Sequence, residues 1–160
     1  MERIADWRGD ADCVADLGHR LRDGGLPADR LALFRRTLHP EILGRATAWA
    51  PGRPVEIFDR DHGIDLSIQF AGSPLDLAMT RGLPLRLQPA EFERSFWRWA
   101  DPFRGLGLAE LVIHPLRSGA TLAVGTCRPG GFAPAEMTLL VRLAERRRAA
   151  GAAGISCEDT

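Results

Sequence analysis

Residues 108–132 read LAELVIHPLRSGATLAVGTCRPGGF, and the reading of this stretch decides the fold. Two apolar, β-prone runs, 108–116 and 120–128, are separated by Arg117-Ser118-Gly119, which predicts an antiparallel hairpin. Both runs are too apolar for a sheet edge and are expected as central strands. After Pro129-Gly130-Gly131, Pro134 at a helix start and Glu136 in its first turn launch a helix. Met137, Leu140, Val141 and Ala144 form one apolar stripe of it, and Leu139 and Leu143 form a second. A single sheet contact cannot cover both stripes. These six residues are therefore the expected interface to a second copy of the chain or to a signalling partner.

Working back toward the N-terminus, Asp10 or Asp12 is the expected cap of a first helix with Val14, Leu17, Gly18 and Leu21 on its apolar face, ended by Gly24-Gly25. Over 30–38 the period changes to two: Ala32, Phe34, Arg36 and Leu38 share one face and Leu31, Leu33, Arg35 and Thr37 the other, so a strand is expected. His39-Pro40 breaks it, 44–50 reads as the returning strand, and 55–59 as a third. The run 64–70 is ambiguous. Ser73 as N-cap and Pro74 at the first position predict a helix over 74–81 with Gly82 as its stop, followed by a fourth strand over 83–87. A further helix, ended by Pro102, is expected over 89–99, with Phe92, Phe96, Trp97 and Trp99. This order is α+β, one domain over 1–150 with a tail over 151–160, and it lacks the βαβ alternation of a dinucleotide fold.

Composition narrows the chemistry. In 160 residues, 45% hydrophobic, 21 acidic groups balance 21 basic ones, as in one ordinary globular domain. Every basic residue is Arg, and Lys, Tyr and Asn are absent, which excludes a Schiff-base or P-loop lysine, a tyrosine acid or base, and an N-glycosylation acceptor. Zero net charge argues against a nucleic-acid partner. No apolar run approaches 18 residues and no signal-peptide pattern opens the chain, so no membrane contact and a reducing cytoplasm are expected. Cys13, Cys127 and Cys157 form no CxxC pair; Cys13 and Cys127 are read as core fillers and Cys157 as the accessible thiol.

No two of His19, His39, His62 and His114 stand at metal-ligand spacing, and no serine sits in a GxSxG elbow, so no catalytic residue is assigned and no cofactor is named. Gly130-Gly131 before a helix is read as a turn rather than a phosphate cradle, because the rest of either phosphate-binding fingerprint is missing.

Three groups of residues resemble a known family. The run 31–44 with Thr37-Leu38-His39-Pro40 and Gly44, followed by Trp49, is the first, and Ser73-Pro74-Leu75 with Gly82 is the second. The third and most specific is Thr126-Cys127-Arg128-Pro129-Gly130-Gly131-Phe132. Together they are similar to the GAF-like sensory region that precedes class III adenylate/guanylate cyclase domains in proteobacteria, over about residues 5–148. The resemblance implies an antiparallel sheet with the N- and C-terminal helices on one face and a small-molecule pocket on the other. The cyclase domain itself is expected to be absent from these 160 residues, which excludes nucleotide cyclisation. The expected pocket walls are Phe58, Phe70, Trp97, Phe103 and His114, with His62 in a facing loop and Arg98 or Arg104 available to an anionic ligand. The expected function is a stand-alone, non-catalytic sensory domain, with a link to cyclic-nucleotide signalling. The alternative is a ligand-free interaction or dimerisation module of the same fold. A haem sensor or small redox enzyme ranks behind both.

Overall fold

Six strands, β1 (Arg30–Arg36), β2 (Ile42–Trp49), β3 (Glu56–Asp61), β4 (Leu85–Leu87), β5 (Glu110–Pro115) and β6 (Thr121–Thr126), form one antiparallel sheet in the order β3-β2-β1-β6-β5-β4. This computed structural model describes residues 3–36, 42–61, 73–94, 98–116 and 120–152. The 108–132 stretch sits where its apolarity requires, with β6 between β1 and β5 and every residue of β6 buried. Among the described residues, three helices accompany the sheet: α1 (Arg3–Asp23), α2 (Pro74–Arg81) and α3 (Pro134–Ala152).

Strand register sorts the core into two layers. Leu31, Leu33 and Trp49, with Val112, Leu122 and Val124, face Cys13, Val14, Leu17 and Leu21 of α1 and Leu140 of α3. Ala32, Phe34, Ala46, Ala48, Leu111, Ile113 and Ala123 face α2 and the chain between β4 and β5. Both terminal helices thus lie on one face, as the resemblance implies. Close packing of α1 depends on Gly18, where a Cβ would fall 2.4 Å from Trp49 Cε3.

Several expectations are corrected. α1 begins at Arg3, so Asp10 is not its cap. Asp10 lies inside the helix, and its buried carboxylate takes the Arg35 guanidinium of β1 at 3.0 Å. The helix expected over 89–99 is replaced by 3-10 segments at Pro89–Glu91 and Arg98–Phe103. Glu91 closes the first by accepting from the Gln88 amide at 2.7 Å, and Pro102 lies inside the second instead of ending a helix before it. Pro89 is tolerated at a helix start and Pro102 falls past residue 99, so neither breaks this run; its Phe92 and Trp99 are instead both buried on the sheet face opposite α1. Cys127 is exposed rather than buried, whereas Cys13 is buried. The run 64–70, the bend at His39-Pro40 and the tail from 153 onward lie outside the described residues.

Leu139 and Leu143 of the second α3 stripe, with Met137 of the first, are partly buried against the helix-side core, and Leu139 lies over Gly24 at the end of α1. Val141 remains exposed.

Candidate functional site

The face opposite α1 and α3 has an unusual floor. Ala48, Ala32 and Ala123 are register partners across β2, β1 and β6, and Ala46 lies beside them. Strands favour β-branched and aromatic residues, so four alanines on adjacent strands leave a shallow floor that something else must fill. In this structure, Trp99, Phe103 and Phe92 do so, joined by Phe34 of β1. Phe34 meets Trp99 edge-on at 6.3 Å between ring centroids and Phe103 at 6.3 Å in a tilted pair. The indole Nε1 donates to Ser73 Oγ at 3.0 Å, and the same oxygen accepts the Asp76 amide at 3.3 Å as the α2 N-cap. One hydroxyl thereby holds α2 and the 98–103 segment together.

The expected pocket residues separate on this geometry. Phe58 and Phe103 share the alanine face, Phe58 half-buried and Phe103 fully buried. Arg104 is half-buried beside Asp101, with 3.2 Å between Nη1 and Oδ1. His114 is placed elsewhere: it pairs in register with Leu122 and alternates with Ile113, which puts it on the helix-bearing face. It is therefore not a wall of this face. Arg98 opens the second 3-10 segment. His62, Phe70 and Trp97 lie outside the described residues.

Two polar residues that the sequence reading missed are prominent. Arg30, buried at the start of β1, is on the alanine face and donates to the Pro102 carbonyl and to Glu56, each at 2.7 Å. Alternation with Ala32 and Phe34 was the available signal, since it places a guanidinium on the face expected to bind ligand. Glu110, on the helix-bearing face, is buried and accepts from Arg86 Nε at 2.6 Å, Arg86 Nη2 at 2.8 Å and the Phe132 amide at 2.8 Å. Arg86 also donates to the Phe132 carbonyl at 2.8 Å. Edge strand β4, strand β5 and the approach to α3 are thus tied at one carboxylate. The Arg86 hydrogen bonds hold the Glu110 carboxyl below the usual carboxylate range, with the Phe132 amide adding to them and burial opposing.

The Gly130-Gly131 turn is occupied by its own chain. The amides of Cys127, Arg128, Gly131, Phe132 and Ala133 donate in turn to Asp29, Thr126 Oγ1, the Arg128 carbonyl, Glu110 and Glu136. Arg128 also bridges to Glu136, in the first turn of α3. A phosphate cradle needs such amides unpaired. Partial loss of hydration pushes the exposed Cys127 thiol up, and the neighbouring Asp29 charge pushes it further, the opposite of what a nucleophilic thiolate requires. Among the described residues no group of three His, Cys, Asp or Glu side chains could hold a metal ion, and no helix is long and apolar enough to cross a membrane.

This arrangement, an antiparallel sheet with terminal helices behind it and short irregular segments over the opposite face, is a GAF-like α+β fold. Solved structures that share it include two GAF domains. One is the GAF domain of a two-component sensor histidine kinase from Bacillus halodurans, with a TM-score of 0.57 and 13% identity over 83% of this chain and 89% of that one. The other is the GAF domain of an Acinetobacter phosphoenolpyruvate-protein phosphotransferase, with a TM-score of 0.54 and 14% identity over 84% of this chain and 76% of that one. The likeness is one of architecture. No family model matches the chain, and no curated protein matches it in sequence.

Proposed function

We propose that this chain is a non-catalytic sensory or regulatory module of the cytoplasm that binds a small molecule on its alanine face and signals through α1 and α3 to a second copy or a partner protein. The resemblance to regions preceding cyclase domains adds cyclic-nucleotide signalling as the proposed setting. The observation that supports the reading best is the division of labour across the sheet. The helix-bearing face is closed by regular α1 and α3 packing, while the other has a floor of Ala32, Ala46, Ala48 and Ala123 beneath short 3-10 segments. A ligand that prefers one arrangement of those segments shifts the population of conformers by its differential affinity. From there, α2 leads through Gly82 into β4, whose Arg86 grips Glu110 and Phe132 just ahead of α3.

A second reading is favoured by one specific observation. Phe92 and Phe103 are fully buried and Trp99 nearly so, which suits an interaction module whose former pocket is filled by its own side chains. A thermal-shift screen of nucleotides, haem and acidic metabolites separates the two. Stabilisation by a compound that also changes Trp99 fluorescence supports the sensor. If nothing stabilises the protein, and Trp99→Ala and Phe103→Ala only unfold it, the interaction module replaces it. Light scattering tests the dimer: a strict monomer at high micromolar concentration removes signalling between copies.

A further inference from the structure

We infer that Arg30 is the recognition residue of the alanine face and that the ligand is a small carboxylate with an apolar or aromatic body, with Glu56 occupying the carboxylate position when no ligand is bound. The inference rests on the ligand-binding reading above and gives it a chemical class.

The argument starts from an unequal ion pair. The Arg30 side chain is 6% exposed, whereas that of its partner Glu56, on edge strand β3, is 56% exposed. The arginine therefore bears most of the desolvation cost and requires an anion, while the glutamate can swing into water and recover its hydration readily. Glu56 reaches one nitrogen, Nη2, at 2.7 Å, and the Pro102 carbonyl takes Nε at 2.7 Å. A guanidinium has five N–H donors arranged to meet a carboxylate on two parallel bonds. Among the described residues, nothing accepts from Nη1. A ligand carboxylate spanning Nη1 and Nη2 would make both bonds, where Glu56 makes one, and would keep the buried charge paired throughout the exchange.

The surroundings specify the rest of the ligand. Arg30 pairs in register with Gly125, whose missing side chain is replaced by that of buried Leu108, 2.6 Å from where a Cβ would fall, and Ala32 follows two residues along the same face. Beyond them lie Phe34, Trp99 and Phe103. A charged group at Arg30 attached to an apolar body that takes the place of part of the 98–103 segment on this floor matches that sequence of environments. Because Pro102 accepts from Arg30, movement of the guanidinium reaches the 98–103 segment directly.

The test uses the full chain with benzoate, its neutral isostere benzamide, and inorganic phosphate as probes. The Arg30 Nε–H resonance and tryptophan fluorescence are followed in the unsubstituted protein, Glu56→Gln and Arg30→Lys. Benzoate is expected to shift the Arg30 resonance and to bind Glu56→Gln at least about tenfold more tightly, because the tethered competitor is gone. Benzamide should do neither, and Arg30→Lys should lose benzoate binding. If Arg30→Lys fails to fold, the comparison of the other two proteins decides alone. Equal benzoate affinity in Glu56→Gln and the unsubstituted chain, an unmoved Arg30 resonance, or equal binding of benzamide would each overturn the inference, as would phosphate binding in place of benzoate. A neutral compound that binds beside Trp99 without touching Arg30 would leave the sensory reading standing and remove this one.

Discussion

At the scale of single residues, Glu110 has the most at stake. It is a buried carboxylate with three donors, and Gly131 lies against it at φ 78° with room for no Cβ, which would fall 2.2 Å from Oε1. Glu110→Gln keeps the volume but presents an N–H to Arg86, so a loss of about 1–3 kcal/mol is expected in urea unfolding at neutral pH. The acid limb should change as well. Arg86 lowers the folded carboxyl's pKa below its unfolded value, so the contribution is present above the ordinary 4.5 of glutamate and fades as pH falls through the folded value. Unfolding curves should therefore show the unsubstituted protein losing stability more steeply than Glu110→Gln below about pH 4.5. Gly18→Ala tests a different contact. The added methyl would overlap the Trp49 ring, and overpacking of this kind is expected to cost about 1–3 kcal/mol, read from the urea midpoint at unchanged slope.

Elements were legible in the sequence wherever their code is local. α2 begins and ends at the expected residues because Ser73, Pro74 and Gly82 mark it within its own length. The β5–β6 hairpin is equally local. α1 was read about two turns short, because Gly9 and the aspartates at 10 and 12 resemble a start, although Asp10 serves an ion pair with Arg35, 25 residues away. The aromatic 89–99 run has the bulk of a core helix, but its Phe92 and Trp99 are placed by packing with the alanine floor that spacing does not encode. The candidate site was hidden for the same reason. Arg30 meets partners 26 and 72 residues distant, and Arg86 meets Glu110 across 24. Ser73 illustrates both situations: its cap is local, and its bond to Trp99 is not. Ser73→Ala should therefore cost more than the roughly 1 kcal/mol of an isolated cap, because the bond from the Trp99 indole to the same oxygen is also lost. Urea unfolding gives the size of the loss, and a shift in tryptophan emission reports the indole; a loss confined to the cap value with unchanged emission would contradict the shared role.

For the whole molecule, the sheet is a partition between two cores that share a backbone but few side chains. The helix-side core includes Leu140, the other Phe103, and each is buried. Substitutions more than about 7–10 Å apart with no common partner usually add within about 0.5 kcal/mol. Phe103→Leu and Leu140→Ala, on opposite faces, are expected to behave that way. Arg86→Ala and Glu110→Gln break one cluster and should fall well short of additive, since either change removes the same hydrogen bonds. The comparison bears on the proposed signalling, which requires the two sides to be coupled. If the sheet is a passive wall and the Arg86–Glu110–Phe132 cluster is the connection, then stabilisation by a bound ligand should extend to hydrogen-exchange protection of the α3 amides in the unsubstituted protein. In Arg86→Ala the same ligand should still protect α2 and the 98–103 segment, while its effect on α3 disappears. Undiminished protection of α3 in that variant would route the coupling through the sheet itself.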